Sequence, residues 1–409
     1  MNILEIAGSG TIGTDHMGPV SDTIFNLCKE FNLMGHKVTI VDSIARHNRY
    51  KNSKNIRIIQ IGTPLVFETK TKTIKIFKYI NYWLKEFIYI LKLKYILNTS
   101  KFDVIHVHET LTAYFVKLLI RKKNIVYTSH TSIWGSSFYN ERVQGKIYSF
   151  FLKSIGGHEK KIIQSFPLTI GLGNYLKKNI DKANIKIIPN GINIGNKLWD
   201  KKEARKCIGM DSNIFLITII ARISPIKGFE VLIDAIRKID CNPGKLQVNI
   251  IGSLSGSFDD SKTISAYAKK IMNQAEHLPI NFLGFVSNVS EHFSHLLASS
   301  DLFILPSFFE PQGKVVLEAM AHGVPVIGSD AGGIPEMITS ETGFIFRSGD
   351  SQQLSEIIKS ILEKKEILHA MRPKCHKHVQ ENYNWRLIAE KHVQCFEELI
   401  GISSKYIQM

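Results

Sequence analysis

Residues 301–337 read DLFILPSFFEPQGKVVLEAMAHGVPVIGSDAGGIPEM. Asp301–Ser307 is an apolar run of strand length, a helix is expected to open near Gly313, and Pro325–Asp330 reads as a second buried strand. Strand, helix and strand in this order make a parallel βαβ unit, because a parallel partner can only be reached by a crossover. Ligands of such sheets collect outside the carboxyl ends of the strands, beside helix N-termini. The loop before Gly313 is therefore the place to expect a site. Gly313 lets the backbone approach a ligand, and the N–H groups that follow, at Lys314 and Val315, can hold a phosphate. Glu310 lies in the loop and Glu318 about two turns into the helix, roughly 7–8 Å along its axis. One carboxylate can reach a sugar while the other reaches a ribose, since carboxylates accept hydrogen bonds from paired hydroxyls. Taken singly, each glutamate reads as an ordinary helix-leading or surface charge.

The same alternation runs through the whole chain. Strands are expected at Ile3–Ala7, Lys37–Asp42, Ile56–Ile61, Asp103–His108, Ile125–His130 and Leu168–Leu172, then at Phe215–Ala221, Leu246–Gly252 and Ile280–Gly284. Amphipathic stretches such as Asp22–Met34 and Phe229–Ile239 lie between them. This pattern predicts an α/β protein with two Rossmann-like, doubly wound domains in tandem, residues 1–195 and 196–384. The polar stretch Asn190–Asn213, after the turn signal Pro189-Asn190-Gly191, is the expected linker.

Composition narrows the setting. The 409 residues suffice for two cores of ordinary size. Five scattered cysteines without a Cys-x-x-Cys pair suggest neither disulfides nor structural zinc, which favours a reducing cytoplasm. The N-terminus enters a strand at once, and no apolar run is long enough to cross a bilayer. The net charge of +16 lies wholly in residues 1–190, with 28 Lys/Arg against 12 Asp/Glu. Such asymmetry suits an anionic membrane, a nucleic acid or an acidic substrate, or merely keeps a domain dissolved. Seven of these lysines fall within residues 70–97, against the single acid Glu86. There Ile74, Phe77, Ile80, Leu84, Phe87, Leu91 and Tyr95 recur at helical spacing, while Lys78, Lys85 and Lys92 line the polar side. A helix seated on the inner face of a membrane and a crossover helix with a solvated lysine stripe fit this pattern equally.

Glu310 and Glu318 with seven residues between them, then Ala319-Met320-Ala321, Gly323-Val324-Pro325 and Gly332-Gly333, resemble the signature of glycosyltransferase family 4. The resemblance spans nearly the whole chain and is tightest over 215–340. It implies the GT-B fold, with two Rossmann-like domains facing across a cleft, and retaining transfer from a UDP- or GDP-sugar to a lipid-linked or saccharide acceptor. It also implies that Arg222 and Lys227, in Ala-Arg-Ile-Ser-Pro-Ile-Lys-Gly, bind the donor diphosphate together with Gly313, Lys314 and Val315. Glu310 would hold sugar hydroxyls, Glu318 the ribose, and His130 would sit beside the transferred sugar. Two cations at a strand's end suit a diphosphate whose charge rises as its bond to the sugar breaks. No metal or other cofactor is then required, and no Asp-x-Asp motif occurs. Gly18-Pro19 stands where relatives carry two glycines. Proline preserves the helix start but removes one N–H contact. Asn190 falls in a family turn beside the cleft, His106 and His108 fit a family pattern without an assigned role, and 385–409 resembles the terminal helix that packs back on the first domain.

Other motifs compete with this reading. Gly8–Gly13 matches a dinucleotide-binding fingerprint, yet Pro19 delays the helix that such a site needs at once. A nicotinamide oxidoreductase and a basic binding module are therefore the rivals from other classes, and a GT-B sugar phosphorylase or epimerase the nearest rival. Cys375-His376-Lys377-His378 has metal-ligand residue types but no second cluster, and reads as an exposed helix face. Nucleic acid is not an expected partner.

Overall fold

The structure, a computed structural model, describes residues 1–8, 19–42, 55–61, 88–119, 124–130, 159–195, 198–239, 244–255 and 264–401. The chain divides into two units. The first is built from described residues within Met1–Trp134, Lys153–Gly191 and Trp385–Met409, the second from those within Ile192–Asn384.

In the first unit, strands β1 (Asn2–Gly8), β2 (Lys37–Asp42), β3 (Ile56–Gln60), β4 (Val104–Val107), β5 (Ile125–Ser129), β6 (Leu168–Gly171) and β7 (Ile185–Ile187) form one parallel sheet. Their order is β3-β2-β1-β4-β5-β6-β7, so the direction of winding reverses between β1 and β4. The Ile/Val runs follow from this layering, since a strand covered on both faces has no polar side; every residue of β4, β5 and β6 is buried. The helix Pro19–Leu33 begins at its proline, where a missing N–H costs nothing. Its Leu27, Cys28 and Phe31 share a core with Trp385, Ile388, Ala389 and Phe396 of the C-terminal helix Trp385–Ile400.

The second unit repeats the plan with β8 (Phe215–Ile220), β9 (Leu246–Ile251), β10 (Ile280–Gly284), β11 (Leu302–Leu305), β12 (Val326–Ser329) and β13 (Gly343–Phe346). The order is β10-β9-β8-β11-β12-β13, again all parallel, and the winding reverses between β8 and β11. The α/β expectation therefore holds in both sheets. The sequence reading missed β7 and β13. Each is a short edge strand, three residues around Lys186 and four opened by Gly343, so neither carries the continuous apolar run of a central strand.

Two expectations need correction. The stretch 190–213 is not merely a linker, because it contains the helix Lys201–Cys207, capped by Asp200, whose side chain accepts from the Glu203 N–H at 2.8 Å. Arg205 of that helix is buried; it donates to Asp301 (2.6 Å) and to the carbonyls of Ser299 (3.0 Å) and Ser212 (2.7 Å). Such a buried cation holds only when its donors are met, and here they are. Likewise Cys375–His378 is not an exposed face. Cys375 is fully buried, and His376 and His378 reach the carbonyls of Ala321 (2.7 Å) and Met337 (3.1 Å). The helix Glu366–Asn382 thereby braces the middle and the end of the stretch 301–337.

Candidate active site

The loops that follow β8 and β11 meet at the reversal point of the second sheet, the crevice where open α/β sheets take ligands. After β8 comes Arg222, then the 3-10 turn Pro225–Lys227, closed by Gly228. After β11 comes Pro306–Gln312. The Phe308 N–H donates to the Ile226 carbonyl at 2.8 Å and ties the two loops together. Lys227 pairs directly with Glu310, and the Ser307 hydroxyl donates to the same carboxylate at 3.0 Å. Ser307 is itself fixed, since its carbonyl accepts from Ser329 at 2.6 Å. Arg222 completes the group. Burial holds its pKa below the usual arginine value, and the nearby charge of Glu310 works against that shift. Two cations and one carboxylate thus converge from loops that are 83 residues apart in sequence at Lys227 and Glu310.

Gly313 caps the next helix in the left-handed region, with φ 89°, and the helix itself is Lys314–Ala321. Lys314 and Val315 form the first turn of this helix, at the positive end of its dipole, the end of a helix that suits an anion. Glu318 is the fifth residue of this helix, half-buried, in its second turn. The double glycine has a packing role that the sequence alone did not reveal. A Cβ on Gly332 would lie 1.9 Å from the Glu310 carbonyl oxygen, and Gly332 has φ +60°. The Gly333 N–H donates to that carbonyl at 2.9 Å. The glycines therefore let a second backbone lie against the Glu310 loop and hold its glutamate in place.

His130, just beyond β5, belongs to the first unit, where it ends a buried chain of polar groups. Glu5, inside β1 and fully buried, accepts from His106 Nδ1 (3.1 Å) and His108 Nε2 (2.5 Å). His106 Nε2 lies 2.6 Å from the Thr128 hydroxyl, and His108 Nδ1 lies 2.8 Å from His130 Nε2. Burial opposes the charge on Glu5, yet the two imidazoles outweigh it and hold the carboxyl below its usual range. Glu5, His106 and His108 also bring ligand-type atoms within 4.8 Å of one another, though each of those atoms already has a hydrogen-bond partner in the chain. Glu5 was overlooked in the sequence, yet it is the one acid in Ile3-Leu4-Glu5-Ile6-Ala7. A charge inside a buried strand demands a partner, and the β1–β4 register places Glu5 directly beside His106. Asn190 is half-buried in the turn where the first unit gives way to the second. Gly18 lies outside the described residues, as do Gly10 and Gly13 of the Gly8–Gly13 motif and residues 70–87 of the lysine-rich segment.

The residues of the signature thus lie together around one reversal point, on a sheet pattern that occurs twice. Over nearly their whole length, solved structures share this architecture. Sucrose-phosphate synthase from Thermosynechococcus elongatus superposes with a TM-score of 0.76 at 21% identity, covering 98% of this chain and all of that one. Anabaena HepE in complex with UDP-glucose superposes at 0.71 and 19% identity, covering 97% and 100%. The fold is that of the GT-B glycosyltransferases. Residues 20–196 match the model for Glycosyltransferase Family 4 and residues 200–378 that for Glycosyl transferases group 1. The chain belongs to this family and is a glycosyltransferase. Among its curated relatives, an uncharacterised glycosyltransferase of Methanocaldococcus jannaschii is 28% identical over 326 residues, 75% of this chain and 78% of that protein.

Proposed function

We propose that the protein moves a sugar from a UDP- or GDP-sugar to a saccharide or lipid-linked acceptor, with retention at the anomeric carbon. The convergence of Arg222, Lys227 and Glu310 beside the helix at Gly313 carries this reading. The diphosphate would lie on Arg222, Lys227 and the N–H groups of Lys314 and Val315, with the ribose on Glu318. Lys227 can serve both partners, because an ammonium has three donors and Glu310 occupies only part of that capacity. Glu310, held by Lys227 and Ser307, would accept from the sugar hydroxyls, and His130 would contact the same sugar.

Transfer then runs as a front-face displacement. The bond from the anomeric carbon to the diphosphate oxygen breaks, and the acceptor oxygen bonds to that carbon from the same side. The departing diphosphate takes the acceptor's proton. Its growing charge is met by cations already in place, which is the most effective use of fixed charge. In this scheme no metal ion is needed. UDP and GDP titrations, with donor turnover measured with and without EDTA, test the reading. One nucleotide should bind, Arg222→Ala and Lys227→Ala should both weaken it, and EDTA should leave turnover intact. Binding of neither nucleotide, or a metal-reversible loss with EDTA, would overturn it.

The acceptor side has a candidate membrane contact. No helix among the described residues is long and apolar enough to cross a bilayer. In residues 88–99, however, Tyr89, Ile90, Leu93 and Leu97 are buried, while Leu91 and Tyr95 are 50% and 72% exposed beside exposed Lys92 and Lys94. The segment is thus anchored by one face and offers apolar and basic groups on the other, which suits peripheral docking on the anionic inner face of a membrane.

A further inference from the structure

The buried chain in the first unit has a direction, and its direction reaches His130. Glu5 is surrounded by imidazoles and is held in the charged form, so it can only accept hydrogen bonds. His108 must therefore present Nε2–H to it across 2.5 Å. Burial and the neighbouring His106 bring the pKa of His108 down to about 4, so the ring is neutral and its Nδ1 is a bare acceptor. The only hydrogen available to the 2.8 Å contact between His108 Nδ1 and His130 Nε2 is then the one on His130. His130 is buried as well, and burial followed by repulsion from His108 holds its pKa well below the ordinary value. Its remaining nitrogen, Nδ1, is buried and has no hydrogen-bond partner among the described residues. A lone pair left unpaired in a buried position is unfavourable unless a ligand supplies the donor.

We propose that Glu5 and His108 are positioning residues, which lock His130 as its Nε2–H tautomer so that Nδ1 accepts a hydrogen bond from a substrate hydroxyl. A carboxylate two imidazoles away would thus fix which nitrogen meets the substrate. The inference rests on the reading of His130 as a sugar-contacting residue. Other titratable groups face the chain but do not break it. His392 of the C-terminal helix lies with its ring 5.7 Å from that of His106, and its Nδ1 lies 2.8 Å from the Ile388 carbonyl, its own helix's acceptor. Cys28 of the helix Pro19–Leu33 is fully buried, and burial, then the charge of Glu5, keeps its thiol protonated.

Two variants of His108 separate positioning from packing. In His108→Gln the amide can donate to Glu5 and accept from His130, so the direction of the chain survives. In His108→Phe the volume is filled but the direction is lost. Nitrogen-15 NMR of the histidine rings in the unaltered protein should show His130 neutral with Nε2–H, both at pH 7 and at pH 5.5. His108→Gln should keep that tautomer and most of the turnover of UDP-glucose or GDP-mannose, whichever the protein hydrolyses. His108→Phe should lose the tautomer preference and about tenfold to a hundredfold in turnover, the worth of one lost hydrogen bond.

An Nδ1–H tautomer in the unaltered protein would overturn the inference, as would one zinc ion per chain in the purified protein, since it would replace the hydrogen bonds. Equal activity of the Gln and Phe variants, with His130→Ala impaired, would remove the positioning role and leave His130's own role standing. Normal turnover in His130→Ala would instead remove the reading on which the inference rests.

Discussion

At Glu310 the structure turns one acid into an addressed one. The carboxylate is 12% exposed, receives Lys227 and Ser307, and has its backbone gripped by Gly332 and Gly333. Glu310→Ala removes the acceptor but leaves the backbone path of the loop, so the protein should stay folded and lose nearly all transfer. Circular dichroism and donor turnover on the same sample check both halves of that statement. Arg222 and Lys227 are predicted to share one ligand, and residues that share a partner do not act independently. The double variant Arg222→Ala, Lys227→Ala should bind the nucleotide more weakly than either single variant, with a loss that departs from the sum of the two. Calorimetric titration of the four proteins gives the coupling, and strict additivity would assign the two cations to separate tasks.

Among the elements, the C-terminal helix Trp385–Ile400 has the clearest energetic role. Phe396 is fully buried, its ring 5.9 Å from Phe31 and 5.3 Å from His106, so it packs on both the helix Pro19–Leu33 and the histidine chain. Phe396→Ala should destabilise the first unit by about 3–5 kcal/mol, the range for emptying a packed aromatic site. Urea unfolding followed in that unit measures the loss, and a change within ±0.5 kcal/mol, the scale of a surface substitution, would contradict the packing role. The segment 88–99 gives a second prediction at this scale. Replacing Leu91 and Tyr95 with Glu should release the protein from vesicles rich in anionic lipid without unfolding it, since both side chains face solvent. Binding of the unaltered protein should weaken with salt, because surface charges are screened. Equal binding to neutral and anionic vesicles would leave the segment as an ordinary crossover helix.

For the molecule as a whole, the buried histidines set the response to acid. His108 titrates near 4 and His392 near 3, mainly because burial disfavours their charged forms. In the unfolded chain both return to about 6.5, so between that pH and about 4 the unfolded state binds protons the folded state refuses. Their contribution is complete above about pH 6.5 and is lost progressively as the pH falls through this window. Glu5, held below its usual range, surrenders its share only below about pH 4.5, so the upper part of the window belongs to the histidines. The urea midpoint should therefore fall between pH 7.5 and pH 5, and a flat profile would argue against neutral buried imidazoles.

The sequence by itself determined the class of the molecule. Continuous Ile/Val runs separated by amphipathic stretches admit few arrangements other than parallel sheets covered on both faces. The Glu310–Gly333 signature lay in one continuous stretch, so its place after a strand and before a helix could be read directly. Only the tertiary structure decided which distant groups meet. Short edge strands β7 and β13 are stabilised by pairing with a neighbour rather than by their own pattern, and so they passed unnoticed. His376 and His378 looked like surface residues because their partners are backbone carbonyls, which leave no trace in the side-chain sequence, and Arg205 fell in the expected linker because its carboxylate partner, Asp301, lies 96 residues along the chain. Glu5 became legible only once β1 lay beside β4, since the partners that allow a buried carboxylate to stay charged come from about a hundred residues along the chain, at His106 and His108.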